Sequence, residues 1–184
     1  MRYELIRSDR KTMAVEITEK GVLVRAPKRA SRLQIELFLD EHADWIARKL
    51  AARQKRREEA SEVAVLSDDE LKTLSKRAAA YIPGRAAYYA PLVGVHYGRI
   101  TIRHQRTRWG SCSAKGNLNF NCLLMLAPPE VIDSVVVHEL CHRKEMNHSA
   151  AFYREVLRVF PEYHKWNRWL KENGHLLLAR LPEK

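Results

Sequence analysis

The spacing of apolar and polar positions changes several times along the chain, and each change predicts an element. Met13, Val15 and Ile17 alternate with Thr12, Ala14 and Glu16, Lys20 and Gly21 supply a turn, and residues 22–26 form an apolar, β-branched run that stops at Pro27. This period of two predicts a small N-terminal β-meander. Ser31-Arg32-Leu33-Gln34 has the form of a capping box, and Ile35, Phe38, Leu39, Trp45, Ile46 and Leu50 then recur at helical spacing. One long helix is predicted, with a tail over 53–59 that is charged all round. A second capping box, Ser67-Asp68-Asp69-Glu70, opens a helix through Leu71, Leu74, Ala78 and Tyr81, expected to kink or break at Pro83-Gly84 and to end before Pro91. From Gly98 the period returns to two, with Ile100 and Ile102 in one strand and two further strands, about 109–113 and 118–123, flanking Lys115-Gly116. Three helices over about 129–146, 149–160 and 162–173 follow, the first ended by a left-handed Asn147 and the last stopped by Gly174.

Strands followed by helices in both halves define an α+β chain. Its 184 residues suit one continuous unit, within which the pattern separates a β-meander plus helix (1–60) from the remainder (61–184). No apolar run is long enough to span a bilayer, and the N-terminus lacks a signal-peptide core, so a cytoplasmic protein without a membrane partner is expected. Three cysteines without a C-x-x-C pair point to neither a disulfide framework nor a cysteine zinc ribbon. The net charge of +11 favours anionic partners, including weak association with nucleic acid. The excess is uneven: 15 basic against 10 acidic residues in 1–60, 8 against 4 in 61–110, and 10 against 8 from 111 onwards.

The last of these stretches carries the chemistry. His138-Glu139-Leu140-Cys141-His142 is an H-E-x-x-H pattern inside a predicted helix. Four residues are just over one turn, so both imidazoles leave the same face and can hold one metal ion with Glu139 beside them. Val131, Ile132, Val135, Val136 and Leu140 form the stripe that buries this helix. His148 follows six residues after His142 and offers a third ligand, with Glu155 and Glu162 as rivals from the next helices. Three protein ligands and an open fourth position are the pattern of catalytic zinc, although manganese, cobalt or nickel suit the same donors. Zinc would acidify its water, and Glu139 would act as general base. Arg108, Arg143 and His164 are candidates for stabilising a developing negative charge. Arg106 and Arg108 share one face of a strand, and with Trp109 and Asn121 they make up the candidate substrate-binding set. Trp109, Gly110 and Cys112 also suit simple hairpin packing.

The stretch Arg106-Thr107-Arg108-Trp109-Gly110-Ser111-Cys112-Ser113, then residues 116–121, Pro128, the helix to His142, Asn147-His148-Ser149 and Phe152, resembles the YgjP-like metallopeptidase family. The N-terminal run from Val22 to Pro27 and the segment from Phe38 to Ile46 are similar to the same family. The Trp-Gly-Ser-Cys hairpin also looks related to SprT-like and WLM zinc proteases. The resemblance implies a zincin-like catalytic domain with a small mixed or antiparallel sheet, with His138, His142 and His148 as ligands of one zinc ion and Glu139 as the catalytic residue. It further implies hydrolysis of a peptide or protein substrate, with a nucleoside triphosphate pyrophosphatase or a DNA-associated protease as alternatives. Glu145 stands where metzincins carry glycine, so the 138–148 spacing alone does not place the chain among them.

Overall fold

The computed structural model describes residues 1–182. The chain divides into two compact units, Met1–Ser61 and a second that begins at Glu62. The first contains β1 (Tyr3–Ser8), β2 (Ala14–Thr18), β3 (Gly21–Pro27), α1 (Arg32–Glu41) and α2 (Ala43–Ser61). Its sheet has the order β1-β3-β2, with β3 antiparallel to β2 and parallel to β1. A meander would set β1 beside β2. Instead β3, whose Val22, Leu23, Val24 and Ala26 are all buried, takes the centre where both of its edges are paired. The helix expected over Ile35 to Leu50 is two helices, because the chain leaves helical geometry at His42. There the ring Nδ1 lies 2.8 Å from the Phe38 carbonyl oxygen, and the imidazole packs 4.4 Å from the Phe38 ring. Ile35, Leu39 and Ile46 close over the sheet to form this unit's core.

The second unit holds α3 (Asp68–Val93), β4 (Ile100–Arg103), β5 (Gly110–Cys112), β6 (Leu118–Asn121), a 3-10 turn (Cys122–Leu126), α4 (Pro129–Cys141), α5 (Ala150–Val159) and α6 (Tyr163–Ala179). Both capping boxes form: Ser31 and Gln34, like Ser67 and Glu70, exchange side-chain to backbone hydrogen bonds. Contrary to the expectation, α3 runs unbroken through Pro83 and Pro91 and stops at Gly94, whose φ of 77° is left-handed. The two prolines cost donors, but Leu74, Ala78, Ile82, Ala86, Tyr89, Ala90 and Val93 stay buried along one side across both of them. The second sheet has the order β4-β6-β5, parallel on the β4 side and antiparallel on the β5 side. Leu118 and Phe120 of its central strand are fully buried. No helix among the described residues is long and apolar enough to cross a membrane.

Two further expectations change at the carboxyl-terminal helices. Gly174 lies inside α6 and does not stop it, and a Cβ there would lie 2.9 Å from Cζ2 of Trp109. The glycine therefore makes room for Trp109 against α6, at the cost of about 1 kcal/mol of helix propensity. Asn147 is not left-handed, since the described non-glycine residues have no positive φ. Its Oδ1 accepts from the Ser149 N–H at 3.1 Å, and Ser149 Oγ accepts from the Phe152 N–H as the cap of α5.

Candidate metal centre

Helix α4 is the centre of the second unit and is buried nearly all round, so each polar side chain on it needs a partner. Asp133 has one: Arg85 of α3 grips it through Nε at 2.6 Å and Nη2 at 2.8 Å, and the Tyr89 hydroxyl adds a bond at 3.2 Å. This pairing holds the Arg85 guanidinium above its ordinary value and ties α4 to α3. Ser134 Oγ donates to the Val131 carbonyl at 2.8 Å. Glu139, only 5% exposed, is the exception, because no protein group among the described residues hydrogen-bonds its carboxyl. Burial pushes that carboxyl up to about 8, with the positive charge of Arg108 acting in the opposite sense. A buried, partnerless acid at the wall of a cavity makes Glu139 a candidate functional position.

α4 ends at Cys141, one residue short of His142, but His142 keeps α-helical dihedrals (φ −63°, ψ −12°), so the one-turn relation to His138 survives. The chain then turns back and brings in His148. His142 Nε2 and His148 Nε2 lie 3.2 Å and 3.1 Å from His138 Nε2, so three ring nitrogens meet at one point. Phe152 of α5, fully buried, forms the wall behind them, with its ring centroid 4.9, 4.6 and 5.0 Å from those of His138, His142 and His148. Burial, reinforced by the neighbouring imidazoles, lowers His138 to about 3, and burial also lowers His142. Neutral imidazoles with converging lone pairs are what a divalent cation requires, and an all-nitrogen donor set suits zinc.

The rival carboxylates are engaged elsewhere. Glu162 pairs with Lys165 at 2.9 Å, and Glu155 meets both Lys144 and Arg158 at 2.6 Å. The Arg158 hydrogen bond, assisted by Lys144, brings the Glu155 carboxyl down to about 2. A carboxyl depressed in the folded state stabilises at neutral pH, and this contribution disappears as pH falls from about 4.5 towards about 2. Glu155→Gln is therefore expected to lose on the order of 0.5–1 kcal/mol at pH 7, after solvent screening, and to match the parent near pH 2. Urea unfolding at the two pH values checks this; an equal gap at both would contradict it.

Beside His138 lies a cavity of about 270 Å³, lined on one side by Thr107, Arg108, Trp109 and Gly110 and on the other by α4 and α6. Glu139, Tyr163 and Asn167 face it, with Val135 and Leu170 as apolar walls. At Gly110 the backbone passes so close to Glu139 that a Cβ would lie 2.5 Å from Oε1. Of the candidate substrate residues, Arg108 and Trp109 line the cavity, whereas Arg106 and Asn121 do not. Arg106 donates to the carbonyls of Leu181 and Pro182. Asn121 is fully buried; its amide donates to the carbonyls of Gln105 and Arg108, and its Oδ1 accepts from the Leu123 N–H. It fixes the loop that carries Arg108 and has nothing left for a substrate. Arg143 donates to the carbonyls of His96 and Ala114 and does not line the cavity. His164 is exposed, 5.6 Å from the Tyr163 ring, and does not line the cavity. Tyr163 and Asn167 went unread in the sequence, where α6 shows only an amphipathic pattern.

A mixed α+β unit with three convergent imidazoles and a buried carboxylate beside a cleft defines a metal-dependent hydrolase class of site. Residues 66–173 match the YgjP-like, metallopeptidase domain, and the chain belongs to that family. Over 60 residues it is 35% identical to the UTP pyrophosphatase of Escherichia coli (strain K12), a stretch covering 33% of this chain and 36% of that protein. The chain thus spans about a third of the length of this curated relative. The metallopeptidase zymogen of Pyrococcus abyssi abylysin is similar with a TM-score of 0.46 and 23% identity, over 50% of this chain and 95% of that one. That of Methanocaldococcus jannaschii jannalysin gives 0.46 and 20%, over 50% and 96%.

Proposed function

We propose that this chain is a zinc-dependent peptidase in which His138, His142 and His148 hold one metal ion and Glu139 is the general base. The observation that carries the reading is the partnerless buried carboxyl of Glu139 next to three converging ring nitrogens. When bound there, zinc supplies Lewis acidity, which lowers the pKa of a water and polarises the oxygen under attack. Glu139 takes the proton from the attacking water and passes it to the leaving amide nitrogen. Burial raises the proton affinity of this carboxyl above that of an ordinary carboxylate, which strengthens it as an acceptor of the water proton. β5 lies at the edge of its sheet, with β6 on one side only, so an extended peptide can align along its free edge and lay its backbone past Gly110 and Glu139. Arg108, which makes no ion pair among the described residues, supplies positive charge at the cavity.

That same guanidinium favours a second reading, a nucleoside triphosphate pyrophosphatase, in line with the activity named for the Escherichia coli relative. The two separate in one experiment. Purified protein is assayed for metal content, for cleavage of a mixed peptide library and for pyrophosphate release from UTP. The peptidase reading expects about one zinc per chain, and peptide cleavage that is lost on chelation and restored by zinc. Pyrophosphate release without peptide cleavage would transfer the function to the second reading.

A further inference from the structure

The structure assigns Tyr163 as a positioning residue that sets the tautomer and the aim of His138; this rests on the metal reading above. Its hydroxyl lies 2.8 Å from His138 Nδ1, and the residue is only 4% exposed. His138 Nε2 points into the cluster formed with the Nε2 atoms of His142 and His148. An imidazole that gives its Nε2 lone pair to a cation carries its remaining proton on Nδ1, and that proton needs an acceptor. For His138 the acceptor is Tyr163 Oη. For His142 it is the Glu145 carbonyl, 2.9 Å from Nδ1. His148 is exposed, and its Nδ1 has no partner among the described residues.

The two anchors differ in origin. Glu145 lies in the same turn as His142, so that bond forms whenever the turn forms. Tyr163 is the first residue of α6 and reaches back 25 positions, so it links the ligand geometry to the docking of another helix. Histidine in water favours the Nε2–H form, which would turn a proton towards the metal position. The tyrosine oxygen is placed to accept the proton of the Nδ1–H form at the one ligand whose Nε2 approaches both of the others. Partners of this kind typically carry a factor of about 10–100 in metal affinity.

The test is Tyr163→Phe, which removes one oxygen and keeps the ring. Zinc affinity, measured by competition with a chromophoric chelator, is expected to fall about 10–100-fold while the melting temperature of the metal-free protein changes little. In parallel, the side-chain nitrogen NMR shifts of His138 in the metal-free protein are expected to report Nδ1–H in the parent and a shift towards Nε2–H in the variant. The assignment is overturned if the variant binds zinc as the parent does, or if parent His138 is already Nε2–H. Should Tyr163→Phe fail to fold, the parent tautomer alone decides. A parent chain that binds no zinc would overturn the metal reading itself, an outcome distinct from equal binding by parent and variant.

Discussion

On the proposed zinc-peptidase reading, Glu139→Gln is expected to lower peptide hydrolysis by about 10²–10⁴-fold without loss of bound zinc. The amide has the shape of the carboxyl but takes no proton from water and returns none to a leaving nitrogen. Zinc content is expected to hold because the proposed ligand atoms are the three imidazole nitrogens, and Glu139 lies outside that cluster. Stability adds a second, independent readout. The folded Glu139 carboxyl sits at about 8, above its ordinary 4.5, so the metal-free parent is stabilised by the protonated form at low pH and loses that contribution as pH rises towards 8. The Gln variant has no such dependence, and its stability should fall less than the parent's over that range. Hydrolysis assays with metal analysis, and unfolding at pH 5 and pH 8, measure both effects. A variant that kept more than about a tenth of the activity would remove Glu139 from the reaction.

Phe152→Ala should have the largest effect on stability, a loss of about 3–5 kcal/mol in chemical unfolding of the metal-free protein. The ring is fully buried and stands against all three histidines, so truncation opens a cavity that packed neighbours fill only in part. The histidine rings then lose their common wall, and zinc affinity should fall with stability. Phe152→Leu retains most of the volume and separates the two effects, with a smaller stability loss and a weakened but measurable site. If Phe152→Ala unfolded like the parent, the ring would not be the packing centre its burial indicates.

Much of this was readable from local chemistry. Both capping boxes, the strand alternation after Gly98 and the H-E-x-x-H turn depend on neighbours within four residues, and each forms. The misread positions were decided by distant partners. Pro83 and Pro91 do not end α3, since a continuous buried side overrides their local cost. Gly174 stays helical because Trp109 packs on it from 65 positions away, and β1 pairs with β3 because β3 carries the most apolar surface. The site divides in the same way. His138, Glu139, His142 and His148 sit within eleven residues, so their spacing in the chain is nearly their spacing in space. Tyr163, Asn167 and Leu170 reach the cavity by the docking of α6, and the removal of Arg106 and Asn121 from the substrate set follows from backbone carbonyls far along the chain.

The contact between Gly110 and Glu139 couples these two positions sterically. The strand and the acid share a fixed volume, and the acid takes all of it. A larger residue at 110 displaces the Glu139 side chain or requires a shorter residue at 139, and either change withdraws the carboxyl from its place at the cavity. Drift at the hairpin is thus closed by the helix opposite, and any relative that keeps this geometry and the longer acid is expected to keep the glycine facing it.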